Sequence, residues 1–514
     1  MECELVALGV VSALGNGTEE TERRLFAGDT SGMVPLDGLT QGDGTVFGAV
    51  PLADAEVAAA GTRVGALVDR AMAQLAPALD EIRREKPDAV IGAVIGTSNS
   101  TMEEFTDSPD RIDMAYPAER LRSRWGVNGP AWCVSTACSS SAKAFASARR
   151  LLENGICDAV VVGGADARTR TVAEGFHALE ALSPALTRPL AADRDGINLG
   201  EGAALFVMRE ARRFDRPQVC LLGVGESSDA HHLTAPDPEG KGAEAAMRAA
   251  LADAGLEPGG IDYVNLHGTG TTYNDAMECA AVRRVFGDAT PCSSTKPLTG
   301  HCLGAAGAVE AAICWLALRR GKGLPPHVTA AVDATLAPFP VPRVGDGRTV
   351  RTALSNSFAF GGSNASVVLG RLAPLDELLP QARPMILLSG YRRSRAMETA
   401  EAYVDVAENS PFYDHGERGV PGCVALEYMA QTMALCVGEM RRRKGLKPQV
   451  GFVLGSRRLD VRIARFVPGE RYAVTATCTY EDESFGSFDC SIVNSLGETV
   501  AAAMVTAYQL SSNG

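Results

Sequence analysis

Up to about residue 370, short β-branched runs alternate with alanine-rich stretches of helical period; beyond that point the alternation stops. The runs include Ala89 to Ile95, Ala159 to Val162, Val219 to Val224 and Ile261 to Leu266, each bordered by turn residues. Strands recurring between helical stretches call for a layered α/β fold around a buried sheet. Val6 to Ser12 (VALGVVS) is faintly echoed by Cys220 to Gly225 (CLLGVG), as a duplicated α/β unit would produce. Residues 371–383, followed by Pro384, read as a proline-punctuated linker between a domain at 1–370 and a second at 384–514. In the second domain one apolar helix, about Gly422 to Arg443, precedes strands at Val450 to Leu454, Arg471 to Tyr480, Gly486 to Asn494 and Thr499 to Leu510. One helix with a mostly antiparallel sheet is an α+β pattern.

Several function classes drop out early. A net charge of −13 argues against a nucleic-acid partner, which calls for a basic excess. No apolar run reaches the roughly 18 residues of a membrane span. The start, Met1-Glu2-Cys3-Glu4, is acidic where a secretory signal needs a basic stretch. Thirteen cysteines without metal-ligand spacing read as free thiols in a reducing cytoplasm, with no metal expected.

Cys138 stands apart from the other thiols. Trp132 to Ser141 (WCVSTACSSS) reads as a short strand, a sharp turn and a helix start, and Ala142, Phe145, Ala148 and Leu152 continue at helical spacing toward Gly155. A thiol at the first turn of such a helix feels the positive end of its dipole, which favours the thiolate. Small neighbours leave room for an approaching acyl group. Two of the seven histidines, His267 in Asn265 to Thr271 (NLHGTGT) and His301 in Lys296 to Gly307 (KPLTGHCLGAAG), lie in glycine-rich loops that admit a substrate. A thiol with two imidazoles suits carbon–carbon bond formation on thioesters: the thiolate holds an acyl group and two N–H donors stabilise an enolate.

These segments, with Arg188 to Ala203 and Asn356 to Asn364 (NSFAFGGSN), resemble the β-ketoacyl-acyl-carrier-protein synthases of the thiolase superfamily over residues 1–370. The resemblance implies a five-layered, duplicated thiolase-like domain. It implies Cys138 as nucleophile, His267 and His301 as the histidine pair, and Lys296 with Glu310 as the pair ordering them. It further implies an oxyanion hole from the N–H groups of Cys138 and Phe360, a gating loop with Phe358 and Phe360, and pantetheine contacts from Thr269 and Thr271. The stretch from Gly96 to Trp132 is shorter than the family's, which leaves chain-length preference open.

In the second domain His415 precedes Pro421-Gly422, a helix start, and Glu427 falls inside the apolar helix among Val424, Leu426, Met429, Ala430, Met433 and Leu435. Such a buried acid is expected to stay protonated and serve as a general acid. The segment, with Met429-Ala430-Gln431, resembles hot-dog-fold 3-hydroxyacyl-carrier-protein dehydratases, and its short loop between His415 and Pro421 is closer to those of aryl-polyene-type pathways than to the bacterial fatty-acid pattern. The resemblance pairs His415 with Glu427 across a subunit interface and polarises the thioester carbonyl with the N–H groups near Gly422 and Cys423. It therefore implies a dimer, expected to be a homodimer. A thioesterase and a non-catalytic docking module are the alternatives for this domain.

Both resemblances imply substrates on the phosphopantetheine of an acyl carrier protein and no cofactor of the enzyme's own. No dinucleotide-binding glycine loop follows a strand, so a separate ketoreductase is expected to work between the two steps. Candidate docking cations for an acidic carrier are Arg441, Arg442, Arg443, Lys444 and Lys447, and the group Arg120, Arg122 and Arg124.

Overall fold

In the computed structural model the chain divides into two compact units: Cys3–Glu210 with Val219–Arg371, and a second formed mainly from Leu372 onward. The structure describes residues 3–40, 45–104, 112–211, 216–329, 331–336, 338–392, 399–443, 448–482 and 485–509.

The sheet of the first unit has ten strands in a row. Their order is Cys292–Ser293, Tyr263–Asn265, Thr352–Phe358, Ser363–Leu372, Gln218–Ser228, Cys3–Ser12, Gly202–Glu210, Ala159–Asp166, Ile91–Gly96 and Ala131–Val134. An eleventh, Gly15–Asn16, folds back on Cys3–Ser12. Counted from either end, the first three strands are parallel and the fourth is antiparallel to them. The sheet is therefore two copies of one five-strand pattern, joined where Cys3 and Glu4 pair with Leu221 and Cys220. The faint sequence echo falls in those two central strands, at equivalent positions.

Side chains alternate across this sheet, as strand geometry requires. Along Gly202–Glu210, Ala204, Phe206 and Met208 join the cluster containing the helices Ser140–Glu153 and Ala306–Arg320. Ala203, Leu205 and Val207 join the cluster around the helix Arg63–Glu85. Every residue from Ala306 to Leu318 is buried. A helix apolar on all sides belongs to an interior layer, and its one acid, Glu310, is conspicuous there.

The inner helices approach the sheet too closely for side chains at some strand positions. A Cβ on Gly96 would lie 2.2 Å from the backbone nitrogen of Ser141. Gly96→Ala is therefore expected to cost about 1–3 kcal/mol through overpacking. It should also displace the turn carrying Cys138. Denaturant unfolding and the alkylation rate of Cys138 check both; an unchanged midpoint would show that the helix can shift without cost.

The main sheet of the second unit has, among the described residues, six strands in the order Gly390–Arg392, Thr399–Asp405, Arg471–Glu481, Phe485–Val493, Thr499–Gln509 and Gly451–Val461, all neighbours antiparallel. The helix Ala425–Arg443, entered through the 3₁₀ turn Gly422–Val424, packs on them. Its buried residues, among those described, are Ala425, Tyr428, Met429, Gln431, Thr432, Met433, Leu435, Cys436 and Gly438. Gly451–Val461 lies at the sheet edge and exposes Phe452, Val453, Leu454 and Leu459.

The two units divide at the start of segment 371–383, between Arg371 and Leu372, and part of that segment is regular. The strand Ser363–Leu372 runs into it, Leu375–Leu378 forms a helical turn, and Leu375, Leu378 and Leu379 are buried. Leucines three and four apart gave that turn an apolar face, which outweighed the flanking prolines. No helix among the described residues is long and apolar enough to cross a membrane.

Candidate active site

The strand Ala131–Val134 ends in a turn closed by its own hydroxyls. The Thr136 N–H donates to Ser140 Oγ at 2.8 Å, while the Ser139 and Ser140 hydroxyls donate to the carbonyls of Thr136 (2.8 Å) and Ala137 (2.5 Å). Ala137 is left-handed at φ 51°, a conformation costing an alanine roughly 1–2 kcal/mol. The bend leaves Cys138 just ahead of the helix Ser140–Glu153.

His301 Nε2 lies 2.9 Å from Cys138 Sγ. The rings of His267 and His301 meet edge to face, with centroids 5.3 Å apart. The backbone of His301 is gripped from both sides: its N–H donates to the Asn198 carbonyl (2.8 Å) and its carbonyl accepts from Gly200 (3.0 Å). This explains the need for the Arg188 to Ala203 motif, far from His301 in sequence.

His267 follows the strand Tyr263–Asn265, and its loop is tied down by a residue that sequence reasoning missed. Glu278 accepts from the N–H groups of His267 (2.8 Å) and Gly268 (2.7 Å), and from the Asn356 amide (3.1 Å). Asp275, also missed, accepts from Gly270 (3.1 Å) and Leu190 (2.8 Å). Both acids are buried on the helix Thr272–Phe286. Their available signal was a pair of carboxylates among apolar neighbours such as Met277, Cys279 and Val282.

Lys296 and Glu310 are both buried, so neither is a solvated surface charge. The Lys296 ammonium donates to the His267 carbonyl and to Glu310 Oε1. Burial pushes the Glu310 carboxyl up to about 7, against the pull of Lys296. Burial, reinforced by the Lys296 charge, holds His267 and His301 well below the ordinary histidine range, so both are neutral at neutral pH.

The resting state of Cys138 departs from expectation. Burial pushes its thiol up to about 12, outweighing the Lys296 charge that lowers it. The dipole-favoured thiolate is thus not the resting form, because the same packing that positions the sulfur strips its water. The N–H groups of Cys138 and Phe360 both reach the sulfur and favour its anion.

A cavity of about 360 Å³ opens onto this group, lined by Cys138, His267, His301, Phe358, Thr269 and Thr271, among others. The hydroxyls of Thr269 and Thr271 are 2.9 Å apart. Phe358 is buried, whereas Phe360 is 38% exposed and stacks on Phe176 with centroids 5.5 Å apart. Phe176, in the helix Arg170–Ala178, is a further lining residue that the sequence did not reveal. Cys138 sulfur and one nitrogen of each imidazole lie within 4.8 Å of one another, a spacing a soft metal ion could also use. The Lys296 cation, whose charge acts on both imidazoles, disfavours a second cation there.

In the second unit a cavity of about 310 Å³ is lined by Glu427, Ala430, Ala434 and Val437 along one helix stripe, and by Met433, Phe452, Phe485, Phe488 and Tyr508. Glu427 is only partly buried and accepts from the Gln431 amide at 2.8 Å. Full enclosure is not reached within one chain, because its stripe opens onto a cavity whose other walls include apolar side chains of the sheet. His415 is exposed, with its ring against Tyr413 at 5.0 Å, and does not line that cavity. Among the described residues, no hydrogen bond or ring contact joins His415 to Glu427 within one chain. Gly422 is buried at the helix start and Cys423 is exposed.

The expected basic patches fare unevenly. Arg120 and Arg124 are drawn onto Asp69, and among the described residues only Arg122 of that trio is without an ion pair. Apart from Arg441, the second patch falls outside the residues whose side chains are described.

Residues 4–213 and 219–330 match the family models for the β-ketoacyl synthase N-terminal and C-terminal domains, and residues 373–513 match the ApeP-like model, described as ApeP dehydratase. Nodulation protein E of Rhizobium meliloti is 42% identical over 248 residues, 47% of this chain; the chain spans 61% of that protein's length. The 3-oxoacyl-(acyl-carrier-protein) synthase 2 of Rhizobium meliloti (strain 1021) is 34% identical over 420 residues, 71% of this chain and 98% of that protein. Among solved structures, a ketosynthase (ApeO) in complex with its chain length factor (ApeC) from Xenorhabdus doucetiae is 38% identical, with a TM-score of 0.66 over 72% of this chain and 98% of that one.

Proposed function

Since the chain belongs to the β-ketoacyl synthase family, we propose that it condenses an acyl thioester with a malonyl thioester on an acyl carrier protein and dehydrates the 3-hydroxy form of the product. The observation that carries this reading is the 2.9 Å contact of His301 Nε2 with the Cys138 thiol at the floor of an open cavity.

The neutral His301 would take the Cys138 proton as the sulfur attacks the acyl thioester and pass it to the carrier, which leaves as its free thiol. The N–H groups of Cys138 and Phe360 would hold the oxyanion of that step. A malonyl thioester then enters past Thr269 and Thr271. As its carboxylate leaves as carbon dioxide, N–H groups of His267 and His301 would stabilise the enolate oxygen. The enolate carbon attacks the acyl carbonyl, the C–S bond to Cys138 breaks with its electron pair on sulfur, a proton taken up from water restores the thiol, and a 3-oxoacyl carrier departs. Lys296 and Glu310 would fix the His267 carbonyl and keep the site's charge constant. A ketoreductase from elsewhere would supply the hydroxyl for dehydration. Repetition without enoyl reduction would build a conjugated polyene, in line with the ApeP-like match. Thirteen cysteines with no disulfide between them support a cytoplasmic setting.

For the second site, His415 would take a proton from C2 and Glu427 would return one to the leaving hydroxyl. The lack of a described contact between them within one chain favours a site shared between subunits, and the exposed apolar edge strand Gly451–Val461 supports a dimer. Co-expressed His415→Ala and Glu427→Gln chains are therefore expected to regain part of the dehydration that each lacks alone. Conversion of a 3-hydroxyacyl carrier, read by mass, measures it. Full inactivity of the mixture would place the site within one chain, and free acid as product would make the domain a thioesterase. Unchanged unsaturation in both single variants would make it a docking module. Incubation with malonyl carrier, starter and ketoreductase, with product mass as readout, tests the whole sequence of reactions.

A further inference from the structure

His327 is a fully buried histidine that the reaction above does not use. Its Nδ1 accepts the N–H of Ser294 at 3.3 Å, and its Nε2 is 3.1 Å from the Pro189 carbonyl. Only a neutral imidazole with the proton on Nε2 satisfies both, and burial holds this ring neutral, down to about 4.

Each bond leads toward the catalytic loops. The Ser294 hydroxyl donates to the Gly268 carbonyl at 2.6 Å, directly after His267, and accepts from the Lys296 N–H at 3.4 Å. Pro189 precedes Leu190, which is left-handed at φ 62° and donates to Asp275, the acid that also holds Gly270. Thr187, two residues before Pro189, donates to the carbonyls of Gly196 (2.7 Å) and Thr269 (3.3 Å). His327 thus joins the loop bearing Lys296 to the loop around Pro189. The Pro189 side also reaches the grip on His301, since the Thr187 N–H donates to the Asn198 side chain at 2.7 Å, whereas the Ser294 bond leads to the His267–Lys296 side.

We infer that His327 is a positioning residue for the decarboxylation half of condensation, acting through Ser294 on the His267–Lys296 side of the site. The inference rests on the condensing reaction proposed above. Its signature is a split: enolate formation depends on His327, whereas capture of an acyl group by Cys138 does not.

The substitutions His327→Asn, His327→Gln and His327→Leu separate its two bonds. Asparagine places an acceptor where Nδ1 sits and keeps the Ser294 bond; glutamine places a donor where Nε2 sits and keeps the Pro189 bond; leucine keeps neither. Carbon dioxide release from labelled malonyl carrier should fall roughly 10- to 100-fold in His327→Leu and His327→Gln, the scale of a small misplacement of catalytic groups. It should be largely restored in His327→Asn. Acyl transfer to Cys138, followed by mass, should match the parental protein in all three. Parental carbon dioxide release in both His327→Leu and His327→Gln would overturn the inference. So would equal loss of acyl transfer and decarboxylation, or failure of all three to fold, since either would make His327 a support of the fold alone. If only His327→Leu fails to fold, the contrast between asparagine and glutamine decides. An unsubstituted protein that releases no carbon dioxide would refute the condensing reaction itself, a separate outcome.

Discussion

Cys138→Ala is expected to abolish condensation, by on the order of 10³-fold or more, while leaving dehydration of a 3-hydroxyacyl carrier intact. The alanine removes the only atom placed to carry the acyl group. The other buried thiols, such as Cys302 and Cys314, are pushed far above the ordinary thiol range, and neither lines the cavity. Because His267 and His301 remain, malonyl carrier should still lose carbon dioxide without forming a new carbon–carbon bond. Mass spectrometry of the unsubstituted protein should find the acyl adduct on the Cys138 peptide. Retained condensation in the variant, or an adduct on another cysteine, would refute the assignment.

The second large effect is expected from the histidine pair. His267→Ala and His301→Ala should each lower decarboxylative condensation by about 10²-fold or more, the usual consequence of removing one donor from a developing oxyanion. The two should differ in acylation. His301 Nε2 lies 2.9 Å from the thiol and, in the proposed reaction, would accept its proton, so its loss should also slow acyl transfer. His267 touches the ring of His301 rather than the sulfur, so its loss should leave acyl transfer near the parental rate. Labelled carbon dioxide release and the rate of adduct formation measure the two halves separately. Parental carbon dioxide release in either variant would remove that residue from the reaction.

Residue patterns were enough to locate much of this site. Cys138 was legible because strand, turn and helix signals converge on a segment of small residues. The two histidines were legible because glycines fence them. Lys296 and Glu310, by contrast, entered only through resemblance to a family, since a lysine and a glutamate fourteen residues apart read as surface charges. Glu278 and Asp275 left almost no trace, because one acid on a helix looks much like another until the fold buries it.

What the sequence by itself determined was local: the alternation that makes the layered first unit, the echo marking its duplication, the bend at Cys138, and the helix and four strands of the second unit. These depend on contacts within about a dozen residues and on period, both written directly in the chain. Tertiary structure alone decided the electrostatics. Burial turned an expected thiolate into a resting thiol and neutralised two histidines. Ion pairing with Asp69 drew Arg120 inward, while Arg124, paired with the same carboxylate, stayed exposed. It also turned Glu427 toward a cavity and left His415 outside it, because a side chain's solvation is set by distant segments that sequence order does not bring near.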